Sequence, residues 1–253
     1  MNREIRLSLV RALAASLVLE AMLVAAILFW PDFQANIPAI LKMVPGKILG
    51  GFVDAIVRGG APAYVVLQHL FKGCHMIGGA TAILFASGAV AGEAHRGTME
   101  LWLARPVTRR RLLVERYVLG AAAVAIPVFV TSATIPWLCG IVHEKVALPP
   151  FLLGSVHESI FLLTIYSATF LFSTLAGRPG PIAFGMLLFL ALQFAFYLVM
   201  EATHFSIFRF ADLEDFLAIL ATGSLEWKTL FPLLLFSAAC LAASLRIFAR
   251  RVP

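Results

Sequence analysis

Residues 92–117, GEAHRGTMELWLARPVTRRRLLVERY, hold six arginines, three glutamates and a proline, with apolar runs on both sides. Glu93/Arg96 and Arg96/Glu100 are spaced i,i+3 and i,i+4, where opposite charges meet on a helix. Met99, Leu101, Trp102 and Leu103 add an apolar side, so the stretch suits insertion into a partner surface. Groups able to do catalysis are scattered. His69 and His75 are six apart, about 240° around an ideal helix, which argues against a shared metal. The sequence has no G-x-x-x-x-G-K-[ST], H-E-x-x-H or G-x-S-x-G, so no P-loop, zinc-protease or serine-nucleophile chemistry is expected. Cys74, Cys139 and Cys240 lie far apart within or beside apolar runs, as buried hydrophobes do. No catalytic residue and no metal ligand is assigned.

Glu20 stands near the middle of an apolar run, where a charge costs about 3 kcal/mol on insertion scales. Two readings fit it: a group lining a substrate or proton pathway, or a neutral carboxyl bonded to a neighbouring helix.

The elements that position these residues are membrane helices. Of the 253 residues, 61% are hydrophobic and 13% charged, against roughly 25% charged in soluble domains. Several windows reach the roughly 20 apolar residues that cross a bilayer core, and none alternates like a barrel strand. Six spans are expected, at about 11–30, 69–91, 112–141, 151–175, 181–200 and 229–248, in a single domain covering 1–253. Trp30-Pro31 is expected to end the first, which reads as a retained helix and not a cleaved signal. Pro127 and Pro136 are expected to kink the third.

Net charge is +6, and topology accounts for it without nucleic acid. With the N-terminus in the cytoplasm, thirteen of the 20 lysines and arginines fall inside, and most outer segments carry carboxylates. Both termini and residues 92–117 are then cytoplasmic. Residues 32–66 suit a helix in the outer interface or a packed loop helix, and 201–228 suit short helices returning toward the membrane. Gly88 and Gly92 form a GxxxG at the inner end of the second span, suited to close packing within the chain or with a second subunit. The halves show no inverted similarity, which disfavours inverted-repeat secondary transporters.

Within the charged segment, Pro106 disfavours helix at Arg105, and Thr108 is a natural N-cap for the third span. The expected object is one short helix over Glu93–Leu103, a bend, then an arginine-rich helix start. Arg109–Arg111 and Arg116 suit anchoring at an anionic inner surface.

This stretch resembles the membrane subunits of type-2 ABC exporters, which carry after their second helix a pattern close to E-x-x-x-G-T-x-E-x-L-x-x-x-P-V-[ST]-R. Glu93, Gly97, Thr98, Glu100, Pro106, Val107, Thr108 and Arg109 match it; Leu103 sits one place from the patterned leucine. The six-span layout resembles the family as well. The resemblance implies an all-α integral membrane protein with a cytoplasmic coupling helix between helices 2 and 3. It also implies short extracytoplasmic interfacial helices. Glu93, Arg96, Gly97, Thr98, Glu100, Leu101, Leu103, Pro106 and Arg109 would couple to a separate ATP-binding subunit. Two permease chains, identical or different, and two ATPase chains would form the transporter. ATP and Mg²⁺ would sit on the ATPase, with no cofactor on this chain. The implied setting is the inner (cytoplasmic) membrane of a prokaryotic cell, and the implied cargo is hydrophobic or amphipathic. Two alternatives remain: a mechanotransmitter acting on an extracytoplasmic partner protein, and a proton-driven secondary transporter with Glu20 as relay.

Overall fold

The computed structural model describes residues 2–43, 47–100, 107–199 and 201–250, with the backbone alone at 2–4, 41, 43 and 47–50. Among these residues every regular element is helical. In chain order they are α1 (Asn2–Met43), α2 (Lys47–Val65), a π-helix (Val66–Gly78), α3 (Gly79–Ser87), α4 (Ala91–His95), α5 (Arg109–Ile141), α6 (Leu148–Leu175) and α7 (Pro179–Leu198). Two 3₁₀ turns (Thr203–Phe205 and Ile207–Ala211), α8 (Leu213–Thr222) and α9 (Trp227–Arg250) follow. Among the described residues six helical stretches are long and apolar enough to cross a membrane: α1, α2 through α3, α5, α6, α7 and α9.

A membrane helix is apolar on all sides, so its buried face must be read from packing. On α1 the buried stripe is Ala12, Ala15, Leu19, Leu23, Ile27 and Trp30, while Leu9, Leu13, Leu17 and Leu28 are exposed. That stripe packs on α5 and the second span. α6 is the central helix, touching α5, α9, α3, the π-helix and α8. It buries Ser155, His157, Glu158, Ser167, Thr169, Ser173 and Thr174, polar groups that a lipid-facing helix would leave without partners. Gly120, Gly154 and Gly78 permit close approaches between spans: a Cβ on them would lie within 3 Å of Tyr166, Leu70 and Leu162 respectively. α7 is the most peripheral span, exposing Phe184, Leu188, Phe189, Leu192 and Phe196.

The ends of the first two spans differ from expectation. α1 does not stop at Trp30-Pro31 but runs through Pro31 and Pro38 to Met43. A proline removes one N–H and bends a helix, and tertiary packing carries the chain across it. Trp30 is 3% exposed, lies 4.9 Å from the Tyr64 ring, and donates its indole N–H to Glu144 at 2.8 Å. Residues 32–66 are therefore shared out. Their first part extends α1, and α2 then leads directly into the second span. α2 buries Val53, Ala55 and Ile56 and exposes Asp54 and Arg58. Its kink at Gly60 (φ 62°, ψ −150°) lies in a region that only glycine enters freely.

Candidate coupling site and buried polar groups

The segment expected to couple begins with a break. α3 ends at Ser87, and the chain turns over Gly88–Val90 before α4. Two backbone N–H groups exposed by that break, Val90 and Ala91, both donate to Ser173 Oγ at 3.0 Å, and Ser173 donates in turn to the Ser87 carbonyl at 2.8 Å. One hydroxyl on α6 thus closes both sides of the break. Gly88 and Gly92 consequently do not form the expected helix face. Arg96, from the same segment, occupies the space in front of Gly92.

The expected single helix over Glu93–Leu103 is also divided. Gly97 takes φ +68°, where a side chain would be strained, and ends α4. Its N–H bonds the Ala94 carbonyl at 3.2 Å and the Thr98 N–H bonds that of Glu93 at 3.0 Å, the paired closure of a Schellman motif. Beyond it Met99 is buried and Glu100 exposed, both helical. Leu101, Leu103 and Pro106 lie outside the described residues.

Glu93 is the hub. Its Oε1 accepts from Arg96 and from Arg116, each at 2.7 Å, and its Oε2 accepts from the Thr98 hydroxyl. Burial alone would raise the Glu93 pKa. The bonds from Thr98 and Arg116 and the charges of Arg116 and Arg96 outweigh it and hold the carboxyl at about 2. Arg116 also donates to the Ala89 carbonyl in the break, and its side chain is 10% exposed. It is therefore part of the clamp and not of the surface anchor. Position was the available signal, because Arg116 falls on the buried stripe of Leu112, Leu113 and Tyr117.

Past Pro106 the expectation of an N-cap holds. Thr108 is extended (φ −67°, ψ 146°) and its hydroxyl accepts from the Arg111 N–H at 3.3 Å. Arg109 is half-buried, and Arg111 pairs with Glu115 at 3.0 Å on an exposed surface.

Inside the bundle, Glu20 is half-buried and accepts from the Thr134 hydroxyl at 3.2 Å, joining α1 to α5. His69 and His75 are both buried but belong to different networks. His69 meets Thr131 and Ser132 at 3.1 and 3.2 Å, and Ser155 of α6 bonds Ser132 at 2.7 Å. His75 meets Glu158 at 3.0 Å. Glu158, fully buried within the expected fourth span, is the polar group that sequence reasoning passed over in favour of Glu20. Its neighbour His157 was the visible signal.

Comparison with known families decides the class. The profile of ABC-2 family transporter proteins matches residues 33–251. The chain belongs to this family. No curated protein matches it. This ABC-2 protein is thus a multi-pass membrane permease of ABC-transporter type. Members of the family in general dimerise and work with an ATPase partner, and are not typically catalytic themselves.

Proposed function

We propose that the chain is the permease of an ABC exporter, moving a hydrophobic or amphipathic substrate with ATP hydrolysed on a separate subunit. Residues 93–103 are the handle that this subunit moves. The observation that carries the reading is the Glu93 clamp. A load on the handle passes through Arg116 into α5 and through Ser173 into α6, the central helix. Charge-assisted bonds are roughly twice as strong as neutral ones, so this junction transmits displacement well. Handle and termini face the cytoplasm, the side that receives thirteen of the 20 basic residues. ATP and Mg²⁺ are held by the partner, and two permeases with two ATPases form the assembly in the cell membrane.

The test is capture. A tagged chain extracted in mild detergent should bring down a P-loop ATPase. Glu100→Arg combined with Leu103→Asp should abolish capture without lowering membrane abundance. Undiminished capture by the double variant, or no ATPase with the wild type, refutes the handle.

A further inference from the structure

Toward the end of the bundle opposite Glu93, two histidines from different spans grip one turn. His75 Nε2 lies 2.9 Å from the Ala211 carbonyl oxygen, and His157 Nε2 lies 2.9 Å from that of Phe210. These are the last carbonyls of the turn Ile207–Ala211, groups that a short helix leaves unpaired. His157 makes this bond with Nε2 alone, its Nδ1 being buried without a partner.

His75 differs. Its Nδ1 lies 3.0 Å from the Leu70 carbonyl and 3.0 Å from Glu158 Oε2. Both ring nitrogens therefore face oxygens, and both donate only in the imidazolium form. Phe161 and Phe208 sandwich the ring, with centroids at 4.8 and 5.3 Å and planes within 26° and 24°, faces that favour a cation. Glu158 is fully buried, and neither of its oxygens accepts a hydrogen bond, since the Nδ1–H points to Leu70. The nearby positive charge of His75 is what compensates it.

The surrounding titratable groups are Cys74 on the π-helix, His157 on α6, Tyr197 on α7, which bonds Asp212, and Asp215 on α8 beside His157. Arg209 of the turn donates to the His204 carbonyl instead, and α2 contributes Phe52 against Phe71. Among the described residues no three His, Cys, Asp or Glu side chains are grouped to hold a metal, so a proton is the ligand this chemistry fits.

We propose that His75 and Glu158 form a one-proton latch: an imidazolium–carboxylate pair that, with His157, holds the Ile207–Ala211 turn onto the π-helix and α6. Losing the proton turns one ring nitrogen into a lone pair facing an oxygen and strands the Glu158 charge. Gaining one neutralises Glu158 and strands the imidazolium. Either change releases the turn. Ile207 and Phe210 of this turn also wall an apolar cavity of about 520 Å³ between α6, α7 and α9, so release opens that cavity.

The experiment uses the full chain in lipid nanodiscs with ¹⁵N-labelled histidine. At neutral pH both ring nitrogens of His75, identified by their loss in His75→Gln, should carry protons. In Glu158→Gln one should become unprotonated, and amide exchange over 206–222 should quicken roughly tenfold while 227–250 stays unchanged. An unprotonated His75 nitrogen in the wild type overturns the latch, and so does wild-type exchange in Glu158→Gln. Should Glu158→Gln not fold, the wild-type nitrogen spectrum decides alone.

Discussion

Glu93 and Glu158 each lie within 3.0 Å of a basic side chain, yet one is served by three donors and the other by none. Glu93 is 12% exposed and sits where water reaches, so its pairs are made by side chains that also brace a backbone break. Glu158 has no exposure and depends on one imidazolium that is itself committed to two carbonyls. Redundancy makes the first cluster a joint that survives loading. Single dependence makes the second a switch, because one change of charge undoes it.

Removing one partner should separate the two regions. Glu158→Ala removes the counterion of His75, whose ring must then give up a proton and turn a lone pair toward a carbonyl oxygen, a loss of about 3–5 kcal/mol for a broken buried pair. It should appear as the largest fall in unfolding midpoint when the chain is titrated with SDS in mixed micelles. The double change His75→Phe with Glu158→Leu restores apolar packing and should recover most of that loss. No recovery would mean that the ring positions, not the charges, hold this end.

Arg116→Ala should cost less, about 1.5–3 kcal/mol, because Thr98 and Arg96 still serve Glu93. The same joint has a pH signature. The Glu93 pKa is lowered in the folded state from 4.5 to about 2, so its stabilisation is complete above about 4.5 and is lost as pH falls through about 2. The midpoint difference between wild type and Glu93→Gln should be level above that window and shrink within it. A difference that persists at the acid end would mean the carboxylate charge is not what matters. Ser173→Ala ranks below both, at about 1–2 kcal/mol for two N–H groups left without their acceptor, read from the same titration.

Sequence patterning made the first cluster legible and hid the second for a physical reason. Charges in a solvated turn sit at helical spacing and near breakers, so the Glu93–Arg96 pair and the Thr108 cap were readable, whereas the stop at Gly97 was not and one helix over Glu93–Leu103 was expected. Arg116 was misassigned because a count of positive charges cannot tell a surface arginine from one on the buried stripe of Leu112 and Leu113. Span existence was readable from apolar length, whereas the continuation of α1 past Pro31 depends on Trp30 meeting Tyr64 and Glu144, contacts 34 and 114 residues away. Glu158 was passed over because its partner, His75, comes from the π-helix 83 residues upstream. The widened i→i+5 winding there also removes the 3.6-residue register on which the His69/His75 geometry was judged.

The smallest effect belongs to Arg111, and it marks where the joint ends. Arg111 and Glu115 are i,i+4, with side chains 66% and 42% exposed, so the pair contributes about 0.3–0.5 kcal/mol at most. The order works against it, since the cation precedes the anion and sits in the first turn of α5, facing the positive end of the helix dipole. Arg111→Ala should therefore leave the SDS midpoint unchanged within about 0.5 kcal/mol. What it should alter is lipid contact, where each basic residue near an anionic surface is worth about 1 kcal/mol. Arg110→Ala with Arg111→Ala should lower the fraction of chains inserted with residues 92–117 inside, measured by cysteine accessibility from each side. A drop in the midpoint with insertion intact would instead extend the Glu93 joint past Thr108 into the arginine run.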